Sequence, residues 1–338
     1  MGMKKINVSI NGLGRIGRAF LRAAVKHSEI EVMAVNDLMP RENAEYLLRH
    51  DSVYGGRNFQ FSISPLSGDL QKGDNFHYFS ESDPNKLPWK ELDIDVVVES
   101  TGFFASAEKA AAHLSAGARR VIITAPIKDG ETILLGINED KLKACKISSN
   151  ASCTTNAASP IIAILDEAIG IEKALLNTVH AYTATQSLVD SSAGKKGLRE
   201  GRAAAVNIVP SSTGAAVAVT KAYPKLAGKF DGISLRVPVI CVSIADVTFI
   251  AKRDTTAEEV NTILRNAAKE KRWQGIFSAS DDELVSSDII GRPEGAIAEL
   301  SMTRVVGGNL VKVLAWYDNE SGYANTLVRH VLEAGKHV

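Results

Sequence analysis

Cysteine is scarce in this sequence, at three in 338 residues. Cys145, Cys153 and Cys241 form no paired framework and no metal-ligand spacing. A disulfide scaffold and a cysteine-held metal centre are therefore not indicated, and a reducing compartment is expected. An excess of one charge is also lacking, since 39 basic side chains balance 39 acidic ones. General binders of nucleic acid or anionic membranes are usually basic, so neither partner is expected. No apolar run approaches the roughly 20 residues that span a bilayer. Residues 1–10 run straight into a strand pattern without the layout of a signal peptide, and a cytoplasmic location is expected. Internal repeats and low-complexity tracts are missing. What is present is 45% hydrophobic residues, enough for two domains of ordinary size with large cores.

The first half alternates strand-like and helix-like runs. Lys5 to Ile10 reads as a buried strand and leads into Asn11-Gly12-Leu13-Gly14-Arg15-Ile16-Gly17-Arg18. Gly12, Gly14 and Gly17 make a GxGxxG pattern, followed by a helix-like run and a second strand, Glu31 to Asn36, that ends at Asp37. Such glycines permit a tight turn, close approach of backbone to a pyrophosphate, and close helix–strand packing. The helix N-terminus then faces the phosphates, and Asp37, about 20 residues after Gly17, can accept hydrogen bonds from ribose hydroxyls. A carboxylate there favours NAD over NADP, because it repels a 2′-phosphate. Strands are expected at Asp95–Ser100, Arg120–Thr124 and Thr132–Ile137, with an alanine-rich helix from Ser106 to Ser115 stopped near Gly117. The alternation implies a parallel sheet covered by helices on both faces. Asn43 to Trp89 reads as hairpins and loops without an assignable site.

The chemistry concentrates at Ser149-Asn150-Ala151-Ser152-Cys153-Thr154-Thr155-Asn156, between a strand-like run and a helix-like run from Ala157 to Ile169. A thiol at a helix N-terminus is drawn toward thiolate by unpaired N–H groups and the helix dipole. The neighbouring hydroxyls can bind anions, so acyl chemistry on a phosphorylated substrate is indicated. His180, at the end of a strand-like run, could serve as base for Cys153. Ser187–Arg202 is a long polar segment with glycines at 194, 197 and 201, and structureless loops of this length are usually functional. Ser211-Ser212-Thr213-Gly214 before a helix is either an N-cap or an anion nest. Thr255 to Glu258 fits a capping box for a helix reaching about Lys271. Long strand-like runs, Ile233–Lys252 and Val311–Tyr317, suggest a largely antiparallel second sheet.

Several of these segments carry a resemblance. INGLGRIGR at 10–18, AVND at 34–37, SNASCTTN at 149–156, HAYTATQ at 180–186, PSSTGAA at 210–216, RVP at 236–238 and WYDNESGY at 316–323 together resemble phosphorylating glyceraldehyde-3-phosphate dehydrogenases, in order and over the whole chain. The resemblance implies an α/β fold: a Rossmann-type doubly wound parallel sheet plus an α+β catalytic domain with a largely antiparallel sheet. The expected boundaries are 1–152 for dinucleotide binding, with a C-terminal helix, 319–338, packing back on it, and 153–318 for catalysis. Cys153 would attack the aldehyde of glyceraldehyde 3-phosphate and His180 would activate the thiol and assist hydride departure. Inorganic phosphate would then cleave the thioester. Ser152, Thr154, Thr213 and Gly214 would hold the incoming phosphate, and Thr183, Arg199 and Arg236 the substrate's own. Arg15 and Ile16 would meet the NAD pyrophosphate, Asp37 the ribose, Thr124 the length of the cofactor, and Asn319 the nicotinamide carboxamide. A homotetramer serving glycolysis or gluconeogenesis is implied as well.

Three positions depart from the family pattern. Ala157 replaces a frequent second cysteine, so an internal disulfide with Cys153 is not available. Ser191-Ser192 stands where a proline is frequent in the loop near the cofactor, which leaves NADP admissible beside NAD. Ser82 stands where some relatives carry an arginine near the adenine. The nearest rival reading is an erythrose-4-phosphate dehydrogenase, which hydrolyses its thioester; the hydroxyl-rich HAYTATQ and SSTGAA segments argue against it. A cysteine hydrolase and a non-catalytic nucleotide binder are the rivals of other classes.

Overall fold

The first apolar run becomes β1 (Ile6–Asn11), a central strand of a parallel sheet in the computed structural model, which describes residues 5–55, 63–64, 76–192 and 197–338. By its internal contacts the chain divides into two units, Met1–Ala151 with Leu327–Val338, and Ser152–Thr326. Gly194 of the polar loop lies outside the described residues.

In the first unit α1 (Arg15–Ala24) follows β1 and leads to β2 (Ile30–Asn36). The remaining strands are β3 (Ile63–Ser64), β4 (Phe76–Phe79), β5 (Val96–Glu99), β6 (Arg120–Ile123), β7 (Glu131–Thr132) and β8 (Ile147–Ser149). Their order is β3-β4-β2-β1-β5-β6-β8-β7, with all pairings parallel. Strands buried on both faces read as unbroken apolar runs, as Val96-Val97-Val98 does. The chain leaves β1 toward β2 on one side and returns to β5 on the other. That reversal opens a crevice beyond the strands' C-terminal ends, where open α/β sheets bind ligands.

Two segments differ from the sequence reading. Arg41–Arg49 is a helix, α2, rather than loop; only Ala44 and Leu48 of it are buried, so its apolar periodicity is faint. The strand expected over 132–137 stops at Thr132. Ile133, Leu134 and Leu135 are buried in a turn, where Asn138 replaces a partner strand: its Oδ1 accepts from the Leu134 N–H (2.8 Å) and its Nδ2 donates to the Thr132 carbonyl (2.9 Å). The alanine-rich helix α3 (Ala107–Ser115) forms as read, with Ser106 capping the Lys109 N–H and Gly117 at φ +108° just past its end.

The second unit begins with α4 (Cys153–Ile169), followed by β9 (Ile171–Ala181), β10 (Val209–Ser212), α5 (Ala215–Ala222), β11 (Phe230–Val237) and β12 (Ser243–Ala251). After these come α6 (Ala257–Ala267), β13 (Phe277–Ser280), α7 (Ser286–Ile289), β14 (Ala296–Val306), β15 (Leu310–Tyr317) and α8 (Ser321–Gly335), whose C-terminal part belongs to the first unit. The sheet order is β10-β11-β9-β12-β15-β14-β13, antiparallel except for β11–β9 and β13–β14. The strand β14 was not anticipated from the sequence. The cap of α6 is shifted by one residue from the reading: Thr256 accepts from the Glu259 N–H, while Thr255 donates to the Glu259 carboxylate. That helix ends at Ala267, short of Lys271.

His330 of α8 is fully buried in the first unit. Its Nδ1–H donates to Asn150 Oδ1 (3.0 Å), so Nε2 accepts from the Ser148 hydroxyl (2.9 Å). Burial pushes its pKa down from 6.5 to about 3. The unfolded chain therefore takes a proton near pH 6.5 that the native protein refuses until about pH 3, and stability falls as pH drops through that window. Urea unfolding of the His330→Gln variant between pH 7 and pH 4 is expected to show about one proton less of pH dependence than the parent. Parallel curves would show that His330 does not titrate in this way.

Candidate active site

The crevice of the first unit is a cleft of about 460 Å³. Gly12 starts its floor at φ +99°, a conformation that costs a side-chain-bearing residue about 1–2 kcal/mol, and a Cβ there would meet the Ser100 carbonyl carbon at 2.7 Å. A Cβ on Gly17 would lie 2.0 Å from the Gly12 carbonyl oxygen, so that glycine lets α1 pack against the turn. Gly14, the N-cap of α1, has no side-chain capping bond, and a Cβ there would meet nothing within 4 Å. Open space before uncapped helix N–H groups is what a diphosphate requires.

Asp37 projects from the end of β2, with Oδ2 accepting from the Leu13 N–H (2.5 Å) and Oδ1 from the Met39 N–H (2.9 Å). Leu38 and Phe103, 63% and 79% exposed, add apolar surface to the cleft, and such faces suit a purine ring. The residues present thus fit a dinucleotide. Of the sequence candidates, Gly12, Gly14 and Asp37 line the cleft, Gly17 underlies it, and Arg15 and Ile16 form the first turn of α1. Arg15 pairs with Asp51 (2.9 Å), which also receives Arg22. Thr124 stands just past β6, its N–H donating to the Glu99 carbonyl, and it is not part of the cleft lining. The sequence reading missed Asn11, Asn36, Glu81, Ser100, Thr101 and Phe103 as cleft residues.

In the second unit Cys153 is the first residue of α4. Ser152 caps the helix, its Oγ accepting from the Thr155 N–H at 3.1 Å. The preceding Ala151 takes a left-handed φ of +54°, which aims the chain from β8 into the helix. Cys153 Sγ lies 3.5 Å from His180 Nε2. His180 sits near the end of β9, 3% exposed, opposite Arg236 in the β9–β11 register. Its Nδ1 is 2.6 Å from the Ala181 carbonyl oxygen and 2.7 Å from Arg236 Nη1. The ring packs edge-on against Tyr317, whose hydroxyl meets Thr154 Oγ1 (2.8 Å) and Thr178 Oγ1 (2.7 Å).

Burial pushes His180 down to about 3, and the Arg236 charge adds to that against the Ala181 carbonyl. Burial also pushes the Cys153 thiol up, outweighing the Arg236 charge and the N–H groups of the helix start, which acts against the thiolate expected from helix position alone. In the tautomer whose Nδ1–H donates to the Ala181 carbonyl, Nε2 can take the proton from sulfur directly. Asn319 is buried and accepts from the Ser243 hydroxyl at 3.3 Å.

Among the anion-binding candidates, the Ser152 and Thr154 hydroxyls are engaged with Thr155 and Tyr317. Thr183 pairs with Thr185 (2.9 Å), and Thr213 accepts from the Ala215 N–H (3.2 Å) beside Gly214, the uncapped N-cap of α5. Arg199 is exposed. No bond joins Thr183, Arg199, Thr213 or Gly214 to Cys153 or His180 among the described residues. Among the described residues, His180 is the meeting point, with Cys153 at its Nε2 and Arg236 at its Nδ1. Glu200 was not anticipated: it is 8% exposed, and its Oε1 accepts from the Ser211 hydroxyl at 2.6 Å.

Of the three thiols, Cys241 is 1% exposed and donates to the Asp318 carboxylate (3.4 Å), and burial raises Cys145, whereas Cys153 lies against a histidine. Limiting iodoacetamide is expected to label Cys153 first, and His180→Gln to slow that labelling by about tenfold or more, as loss of a positioned base does. An unchanged rate, read by mass spectrometry over time, would remove His180 from the role of base.

Residues 6–107 match the family model for the glyceraldehyde 3-phosphate dehydrogenase NAD binding domain, and residues 152–319 match that for the C-terminal domain. The chain is 44% identical over 327 residues to glyceraldehyde-3-phosphate dehydrogenase 2 of Streptomyces avermitilis, covering 96% of both. It is 43% identical over 342 residues to glyceraldehyde-3-phosphate dehydrogenase 2 of Bacillus subtilis, covering 98% of both. With glyceraldehyde-3-phosphate dehydrogenase B of Aspergillus oryzae it shares 42% over 335 residues, covering 97% of this chain and 99% of the relative.

Proposed function

Because the chain belongs to the glyceraldehyde-3-phosphate dehydrogenase family, we propose that it oxidises D-glyceraldehyde 3-phosphate with NAD and inorganic phosphate to 1,3-bisphosphoglycerate. The observation that carries the reading is the 3.5 Å contact between Cys153 Sγ and His180 Nε2 at the first turn of a helix. His180 takes the thiol proton as sulfur bonds to the aldehyde carbon. The alkoxide that forms is within the reach expected of N–H groups at the start of α4. His180 hands that proton to the alkoxide, giving the thiohemiacetal hydroxyl, and takes it back as the carbon loses its hydride, which leaves a thioester; the proton then passes to solvent. Bound NAD supplies the acceptor for that hydride. Phosphate then attacks the thioester carbon, and Cys153 leaves as thiolate.

Arg236, already against His180, carries the charge that suits the substrate's phosphate, with Thr183 and Arg199 completing that site. Thr213, Gly214 and the N–H groups beside Ser152 and Thr154 suit the incoming phosphate. Asp37 opposes a 2′-phosphate and so supports NAD over NADP. The two compact units support assigning dinucleotide binding to the first and thiol chemistry to the second. Leu175 and Ile233, 65% and 55% exposed on neighbouring strands of the second sheet, support a homotetramer, because exposed apolar patches mark subunit contacts. No helix among the described residues is long and apolar enough to cross a membrane.

The test is NADH formation from glyceraldehyde 3-phosphate and NAD, with and without inorganic phosphate. Sustained turnover that needs phosphate is expected. Turnover indifferent to phosphate would overturn the acyl-phosphate route in favour of thioester hydrolysis.

A further inference from the structure

Four adjacent strands of the first sheet end in one chain of polar contacts. Glu99, Asn11 and Asn36 are the last residues of β5, β1 and β2, and each is at most 4% exposed. Glu99 Oε2 accepts from Asn11 Nδ2 (2.5 Å). Asn11 Oδ1 accepts from Asn36 Nδ2 (2.7 Å), and Asn36 Oδ1 accepts from the Glu81 N–H (2.9 Å) two residues past β4. The contacts therefore follow the sheet order β4-β2-β1-β5 across the mouth of the cleft.

The other carboxylate oxygen, Oε1, accepts from both the N–H (2.8 Å) and the hydroxyl of Thr101. Thr101 Oγ1 in turn accepts from the Phe103 N–H at 3.0 Å. Behind the carboxylate, His113 of α3 is fully buried. Trp89 Nε1 lies 3.0 Å from His113 Nδ1 and can only donate, which places the imidazole proton on Nε2, 3.0 Å from Glu99 Oε2. Trp89 is itself anchored in the core, edge-on to Phe79. Four donors thus converge on one carboxylate, and none of Glu99, His113 and Trp89 lines the cleft.

We propose that Glu99 is a positioning residue for the dinucleotide: held by His113 and Trp89, it fixes Asn11, Asn36 and the Thr101–Phe103 turn in the arrangement that the adenosine half of the cofactor meets. A buried acid so placed is costly unless fully paired, and full pairing rigidifies the groups that supply the donors. The cleft wall is thereby ordered before the ligand arrives, and binding does not have to supply that ordering. This inference rests on the cleft being the NAD site.

The experiment compares the full-length protein with its Glu99→Gln variant by calorimetric titration of NAD and of ADP-ribose. Glutamine keeps the shape but turns an amide NH₂ toward the Asn11 and His113 donors or toward those of Thr101. Both ligands are expected to bind about tenfold more weakly, by equal factors, because the loss lies in the half they share. KM for NAD should rise in step while kcat at saturating NAD and the alkylation rate of Cys153 without cofactor stay within twofold. Unchanged affinities with a lower unfolding midpoint would overturn the proposal and leave the contacts a purely structural role. If Glu99→Gln does not fold, Trp89→Phe serves: it frees His113 Nδ1 to take the proton, and a threefold or greater loss of ADP-ribose affinity is expected, with no loss overturning the proposal. Wild-type protein that binds neither ligand would overturn the dinucleotide reading and this proposal with it.

Discussion

A thiol becomes a useful nucleophile only when something within reach can take its proton, and the second unit is built around that requirement. The 3.5 Å between Cys153 and His180 depends on three supports at once. The Ser152 cap fixes where α4 begins and so where the thiol points. The β9–β11 register sets Arg236 beside the imidazole. Tyr317, tied through its hydroxyl to Thr154 and Thr178, joins the helix side of the pair to the strand side. The left-handed Ala151 carries a local cost of about 1–2 kcal/mol. The buried length of α4, from Thr154 to Leu165, readily offsets it, since each fully buried leucine or isoleucine contributes roughly 1.5–3 kcal/mol.

The same packing sets the electrostatics. Burial disfavours every charged form, so both partners of the pair rest neutral: His180 is pushed down and Cys153 up. Arg236 acts on both in one direction, making a proton on His180 harder to hold and a negative sulfur easier. An anion resting against Arg236 offsets that charge and makes His180 a stronger base. If the substrate's phosphate rests there as proposed, it brings with it part of what its own reaction needs, which an aldehyde without phosphate does not.

The Cys153–His180 contact and the glycine turn were legible because they depend on residue type at one position. Gly12 and Gly17 admit no substitute in the space they occupy, and a cysteine between a strand and a helix marks its own location. Elements that depend on tertiary context were not legible. Ile133 to Leu135 are apolar and buried but lie in a turn held by Asn138, since hydrophobicity reports burial and not backbone shape. The helix Arg41–Arg49 buries two side chains, too few for a clear period. Thr255 and Thr256 both look like caps, and only the backbone decides which one is. The burial that acts against a Cys153 thiolate was not legible for the same reason, because desolvation cannot be read without neighbours.

The polar ends of β1, β2 and β5 show where that limit bites hardest. In sequence, Asn11, Asn36 and Glu99 are polar residues closing three separate strand-like runs, and such residues ordinarily mark where a strand meets water. Parallel topology brings strands distant in the chain side by side with their ends level, so Asn11 lies beside residues 25 and 88 positions away. Only then does each find partners that let it remain buried. A polar residue at the end of a parallel strand is therefore ambiguous until the strand order is known. Once the order is known, a buried one with all its donors and acceptors matched is better explained by the site at that edge than by the stability of the sheet, for which an apolar residue would serve as well.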